Sequence, residues 1–222
     1  MKTLTVDLVR HGQTLFNILD RLQGWSDSPL SAAGLQTADE TGQRLKTVHY
    51  DHYYSSDLKR AIDTAHHVIV PNQYSQAEPT QLKDVREVYF GSFEGADNTA
   101  SWLTAAKPLG FKTQAEIIAH GSFSQARDAM HAADPLHLSE DGQTFETRVN
   151  RGLRTLLDQN QDGQRLLVVT HGTYIRSLVL RFGAQFDPLT VFPGNGSVTT
   201  LTLQTADNAA GFHAEVTAYN QL

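Results

Sequence analysis

Two histidines far apart in the chain stand in the same kind of place. An apolar run at residues 3–9 leads into Arg10-His11-Gly12-Gln13-Thr14, and a second run at 166–169 leads into Thr170-His171-Gly172. Each histidine closes a strand-like segment, and the second opens a helix-like one. Between and beyond them, strand-like and helix-like stretches alternate, which argues for a three-layer α/β fold. In such sheets ligands bind beyond the carboxyl ends of the strands, where both histidines fall.

The pattern supplies further elements. Residues 3–9 read as a buried strand with Asp7 as its one discordant member. Ser31 is placed to cap a helix from 32 to about 46. Residues 50–55 form a weaker strand candidate, 57–70 a helix stopped by Pro71, and 81–86 a possible strand. The spacing of Phe145, Val149, Leu153, Leu156 and Leu157 predicts an amphipathic helix over 144–159. Residues 166–169 are the clearest buried strand, followed by a helix over 173–182. An Asn195-Gly196 turn precedes an alternating strand at 198–203, with a final edge strand at 212–218. The stretch from about 92 to 140 differs. Its apolar pattern is thin, with helical patches only at 99–106 and 113–120, and it reads as an excursion from the sheet within a single 222-residue domain. Such an excursion either covers a site or is an ordinary surface insertion.

Composition narrows the function. Eighteen basic against 24 acidic side chains give a net charge of −6, which favours neither nucleic acid nor a membrane surface as partner. There is no cysteine, so disulfides, thiolate nucleophiles and Cys-type metal sites are excluded. No apolar stretch is long enough to span a bilayer, and the start lacks a signal-like segment, so a cytoplasmic protein is expected. The histidines are scattered. His66 and His67 are adjacent and diverge on a helix, and no metal-binding motif appears.

The residues at the strand ends suggest chemistry on phosphate. Imidazole is a nucleophile that is neutral near pH 7, and one ring nitrogen attacks phosphorus best when the other donates a hydrogen bond. His11 suits that role, Gly12 allows close backbone approach, and Arg10 offers a fork of donors for phosphate oxygens. His171 and Gly172 lie at a helix start, where backbone donors and the dipole favour an anion, and a protonated His171 would add charge. Arg60, early in a helix, is unfavourable to the dipole unless a phosphate or a neighbouring Asp57 or Asp63 answers it. A leaving oxygen needs a proton, and Glu87 is a candidate donor. Glu94 competes for the part and Asp84 is a weaker third. Asn17, Gln23 and Gly24 are polar loop residues able to meet substrate oxygens or simply to form turns, with Trp25 packing the loop or walling a pocket.

Taken together these blocks resemble the histidine phosphatase superfamily, in its phosphoglycerate-mutase-like branch. The resemblance is carried by Arg10-His11-Gly12 with Asn17, Arg21, Gln23-Gly24, Asp27 and Pro29-Leu30-Ser31; by Ser55-Ser56-Asp57-Leu58-Lys59-Arg60-Ala61; by Glu87, Phe90-Gly91 and Glu94-Gly95; by Thr170-His171-Gly172; and more weakly by Asn195-Gly196-Ser197-Val198. It implies an α/β/α sandwich with a mostly parallel central sheet and a helical cap insertion at about 92–140. It implies His11 as the nucleophile that becomes phosphohistidine, and Arg10, Arg60 and His171 around the phosphate. Glu87 rather than Glu94 would be the general acid and then activate water. Asn17 and the Gln23-Gly24 backbone would contact phosphate or substrate. No metal or other cofactor is expected, the partner is a small phosphorylated metabolite, and a homodimer is compatible.

Thr37 and Gln143 depart from the usual glutamine and glutamate of the family, outside the proposed phosphate shell. A third departure bears on activity. The segment Val88-Tyr89-Phe90-Gly91-Ser92-Phe93-Glu94-Gly95 resembles the phosphatase side, and the excursion holds few basic residues: Lys107, Lys112 and Arg127. A mutase must hold a second phosphate, so a monophosphate hydrolase is the leading expectation. The alternatives are a phosphoglycerate mutase or a catalytically weak phospho-ligand-binding protein.

Overall fold

The computed structural model describes residues 1–74 and 77–222. Thr3–Arg10 (β1), His52–Ser55 (β2), Thr80–Gln81 (β3), Arg165–Thr170 (β4), Val198–Thr205 (β5) and Phe212–Gln221 (β6) form one sheet in the order β3-β2-β4-β1-β5-β6. β1 and β2 each pair parallel with β4, β3 pairs parallel with β2, and β5 runs antiparallel between β1 and β6. The sheet is thus mostly parallel, with the reversed strand near one edge.

Side chains alternate across the strands and divide the interior in two. Leu4, Val6, Leu8, Leu166 and Val168 face a core shared with Gly142–Gln159 and Gly172–Phe182. Val9, Leu167 and Val169 face Ala61, Ala65, Val68 and Ile69 of Lys59–Ile69, against which Ala32–Leu45 packs. Helices on both faces make the α/β/α sandwich. In chain order the α-helices are Leu15–Ile18 (α1), Ala32–Leu45 (α2), Lys59–Ile69 (α3), Asn98–Ala106 (α4), Gln114–His120 (α5), Phe123–Ala133 (α6), Gly142–Gln159 (α7) and Gly172–Phe182 (α8). The Ser31 hydroxyl caps α2 by accepting from the Gly34 amide, and Asp141 caps α7 by accepting from Thr144. Asp7, discordant in sequence, is buried but fully answered. Its carboxylate accepts from Tyr50, Arg165 and Thr200.

Two local expectations are corrected. Of the 81–86 candidate only Gln81 pairs, in the two-residue strand Thr80–Gln81, and Lys83–Val85 turns as a 3₁₀ helix. The Arg148 guanidinium takes the carbonyls of Asp84 and Arg86, which a strand would have offered to a neighbour. The helix expected over 57–70 begins at Lys59, because Asp57 is drawn out to a bidentate pair with Arg86.

The excursion is more helical than its pattern suggests. Asp97, Thr113 and Ser122 each cap a helix, and Trp102, Ala105, Ile117, Ile118, Ala126 and Met130 join the same buried core as α7 and α8. Helix α6 was not anticipated. Its buried stripe is Ala126, Arg127 and Met130, a set with little apolar bulk and a buried cation. Among the described residues no helix is long and apolar enough to cross a membrane.

Candidate active site

Strand register brings the two histidines together. Arg10 of β1 lies opposite Thr170 of β4, and the His11 amide continues the ladder by donating to the Thr170 carbonyl at 3.0 Å. The next residues are therefore neighbours, and the rings of His11 and His171 meet edge to face with centroids 5.1 Å apart. On the far side of β4, Ser55 of β2 pairs with Val169, which delivers the start of α3 and Arg60 to the same place. The Thr170 hydroxyl donates to the Val85 carbonyl at 2.7 Å, which holds the segment carrying Glu87 against the end of β4.

The His11 Nδ1 lies 2.8 Å from the Gly12 carbonyl oxygen. Only a protonated Nδ1 donates there, so this contact leaves Nε2 with its lone pair. The Arg60 Nε donates to that nitrogen at 3.3 Å. Burial, reinforced by Arg60 and Arg10, drives the His11 pKa well below the usual imidazole value, so the ring is neutral near pH 7. Burial likewise holds His171 neutral, with Arg60 and His11 adding to the effect. The protonated His171 anticipated from sequence is therefore not the state of the free site. Both ring nitrogens of His171 are buried without a hydrogen-bond partner among the described residues, which is costly unless a ligand oxygen completes them.

Arg60 is almost wholly buried and answers neither Asp57 nor Asp63. It donates to the carbonyls of Ser26 and Gly24 and pairs with Asp27 at 3.1 Å. Asp63 binds Lys59 instead. Arg60 thereby anchors the loop after β1 as well as His11. Burial pushes Arg10 down to about 10, leaving it charged at neutral pH. Its Nη1 donates to the Pro193 carbonyl, its Nε is unpartnered, and its guanidinium lies 5.2 Å from the Phe192 ring centre.

Glu87 is buried under the first turn of α8. Its oxygens accept from the amides of Val88, Thr173 and Tyr174 at 2.8–3.0 Å. Those bonds and the nearby arginines favour the carboxylate, yet burial outweighs them and raises its pKa. The two rival carboxylates are elsewhere. Glu94 is engaged as a clasp, accepting from the amides of Gly24, Trp25, Ser26 and Phe90. Asp84 is ion-paired with Arg151.

Arg10, His11, Glu87, Asn17, Gln23 and Gly172 all line one cavity of about 630 Å³ beyond the strand ends. Arg60 and His171 are not part of its lining but adjoin His11, which is. Gly24 does not reach it, since its amide is held by Glu94 and its carbonyl by Arg60. Gln23 lines the wall, but its amide group is bonded to Thr14 and Ser28. Trp25 packs the loop by stacking on Tyr89 and donating to the Glu87 carbonyl. Gly12 is needed for a reason other than ligand approach. A Cβ there would stand 2.4 Å from the Gly34 carbonyl oxygen on α2. At Gly172 a Cβ would stand 2.5 Å from the Phe192 ring and 3.0 Å from the Arg10 Nε.

Sequence reasoning gave no role to Asn195, which donates to the His11 carbonyl at 2.8 Å and lines the cavity. Its signal was the Asn195-Gly196 turn. Arg176, also on the cavity wall, was hidden inside an ordinary amphipathic helix. Among the described residues no cluster of His, Asp and Glu is arranged to hold a metal ion.

A metal-independent phosphoserine phosphatase of Arabidopsis thaliana is 31% identical over 177 residues, covering 78% of this chain and 66% of that protein. A 2,3-bisphosphoglycerate-dependent phosphoglycerate mutase of Lactobacillus acidophilus is 25% identical, covering 77% of this chain and 80% of that one. The crystal structure of a phosphoglycerate mutase from Bacillus anthracis superposes with a TM-score of 0.83 at 31% identity, over 99% of this chain and 94% of that one. Residues 6–213 match the histidine phosphatase superfamily (branch 1), and the chain belongs to that family.

Proposed function

We propose that the protein is a phosphomonoesterase that hydrolyses a small phosphorylated metabolite through a phosphohistidine on His11. The observation that carries this reading is the 2.8 Å contact of the His11 Nδ1 with the Gly12 carbonyl, which makes Nδ1 the donor and leaves Nε2 unprotonated at the cavity, where it accepts from the Arg60 Nε until a phosphate takes that donor. Nε2 attacks phosphorus as the ester P–O bond breaks, and the leaving oxygen takes the proton of Glu87. Water then attacks the phosphohistidine, gives its proton to Glu87, and the P–N bond breaks to restore His11 and release phosphate. Arg10, Arg60 and the His171 ring stabilise charge on the non-bridging oxygens. A dianionic phosphate beside His171 also opposes the effects that keep it neutral, so substrate itself favours its protonation.

The relatives named as mutases favour a second reading, in which the phosphoryl group returns to a second hydroxyl instead of water. One assay separates the two. Metal-free protein is incubated with phosphorylated metabolites, and phosphate release is measured beside interconversion of 2- and 3-phosphoglycerate. Release that disappears in His11→Ala, together with an acid-labile phosphoenzyme, is the expected result. Interconversion without net release would replace hydrolysis by the mutase reading.

A further inference from the structure

Amides hold the carboxyl of Glu87, but the chain that carries it lies in no strand and is held by side chains. Four successive carbonyls there are answered from other parts of the molecule. The Thr170 hydroxyl donates to that of Val85. Those of Asp84, Arg86 and Glu87 all accept from Arg148 of α7, at 3.0, 2.9 and 3.0 Å, and Glu87 accepts from the Trp25 indole as well. The other two donors of the Arg148 fork go to the Glu140 carboxylate at 2.6 and 2.7 Å. All five guanidinium donors are thereby used. Glu140 in turn bonds Tyr89 twice, its Oε2 accepting from the Tyr89 amide and its own amide donating to the Tyr89 carbonyl. The pair therefore also closes the excursion near the points where it leaves and returns.

Arg148 and Glu140 are 5% and 7% exposed. A buried ion pair is a poor source of stability, since apolar residues of similar volume do as well. What this one supplies is geometry. The Arg86 carbonyl belongs to the peptide plane before the Glu87 Cα, and the Glu87 carbonyl to the plane after it. Peptide planes are rigid, so one planar fork that pins both sets the φ and ψ of Glu87 and with them the direction of its side chain. We propose that Arg148, held by Glu140, is a positioning residue that aims the Glu87 carboxyl at the leaving oxygen. The inference rests on the reading of Glu87 as the general acid.

Arg148→Lys tests it. The substitution keeps the positive charge, which also acts on His171, but an ammonium on a flexible stem cannot hold three carbonyls and a carboxylate. Turnover of an alkyl phosphate is expected to fall about ten- to hundredfold and that of an aryl phosphate less than about threefold, with KM for each changed less than about threefold. In a Glu87→Gln background the same substitution should cost less than about threefold for either substrate. If Arg148→Lys does not fold, Arg148→Met with Glu140→Met removes both charges together and should give the same pattern. Unchanged alkyl turnover, equal loss for both leaving groups, or a loss that persists in full beside Glu87→Gln overturns the assignment. A carbon-13 titration of the carboxyl signals adds a readout independent of activity, with the Glu87 signal assigned by its absence in Glu87→Gln. Burial raises the Glu87 pKa in the unaltered protein, and Arg148→Lys should move it back toward the ordinary carboxyl value. A moved titration in a protein that turns over no phosphate ester keeps the positioning and removes the catalytic reading. Turnover that depends on His11, with neither the titration nor the leaving-group ratio moved, does the reverse.

Discussion

The floor and the cap side of the cavity are built on different principles. On the floor, main-chain geometry does the positioning: the β1–β4 register sets the two histidines, the Gly12 carbonyl sets a tautomer, and three amides hold Glu87. On the cap side, Lys112 and Thr113 are exposed, and Arg176 is oriented by one side-chain bond. Groups that must meet a transition state within fractions of an ångström are fixed by the backbone, while groups that choose among substrates hang on side chains. Substitutions on the floor should abolish chemistry, and substitutions on the cap side should redistribute it.

The largest expected effect is at the centre of the floor. His11→Ala should lower kcat/KM by about 10⁴-fold or more, with a circular dichroism spectrum like that of the unaltered protein. Retention of most activity would end the comparison. Glu87→Gln comes next, with a loss of about 10²–10⁴ for alkyl phosphates and clearly less for an aryl phosphate, whose leaving group needs no proton. Equal damage to both leaving groups would remove Glu87 as the acid and return the question to the floor's other groups.

The backbone argument can be tested without touching a reactive group. Gly12→Ala forces a methyl against the Gly34 carbonyl, where neither strand end nor helix can give way cheaply. It should cost about 2–4 kcal/mol in denaturant unfolding and lower turnover by displacing His11. Stability unchanged by this substitution would show that the floor is looser than its contacts imply.

Acid titration probes the same floor. Both histidines have folded-state pKa values below the ordinary imidazole value because burial resists their charge. Below about pH 6.5 the unfolded chain binds protons that the folded chain refuses, so stability falls as pH falls. The slope contributed by each histidine approaches about 1.4 kcal/mol per pH unit. His171→Asn should therefore flatten the dependence between pH 6.5 and 5 relative to the unaltered protein. Glu87 works in the opposite sense. Its raised pKa means that the folded chain keeps a proton the unfolded chain has lost, so its share of stability declines as pH rises from the ordinary carboxyl value through the raised one. An unaltered slope in His171→Asn would mean that His171 is not held neutral in the folded protein.

What was legible in the sequence follows the same division. The floor could be read because it consists of local strings, such as Arg10-His11-Gly12 and Thr170-His171-Gly172, placed at strand ends whose register then does the rest. The α2 cap at Ser31 and the strand read at 166–169, observed as Arg165–Thr170, were legible for the same reason. Helix α6 was not, because its buried face is Ala126, Arg127 and Met130 in place of large aliphatic residues. Arg176 was invisible because its position in α8 fits an ordinary helix pattern, and the charge it adds to the cap side comes from outside the excursion. Counting only Lys107, Lys112 and Arg127 therefore understated the positive charge around the cavity. The Glu87 and Glu94 alternatives are equivalent as sequence and separate only in space, where one carboxylate lines the cavity and the other clasps a loop.

The smallest effect sharpens the comparison within the cap side itself. Lys112 lines the cavity mouth but is exposed, so its ammonium acts through water of high dielectric and is screened by salt within about 8–10 Å. Lys112→Ala should lower kcat/KM by about two- to fivefold at low ionic strength through weaker attraction of an anionic substrate, and the difference should fade in about 0.5 M salt. Arg176 is buried, where screening is weak, so the loss of kcat/KM in Arg176→Gln should persist at that salt. Parallel salt titrations of the two variants decide whether the cavity has one diffuse positive mouth or a screened mouth over a dry, directional anion site. Loss of both effects in salt would favour the first, and persistence of the Arg176 effect alone would favour the second.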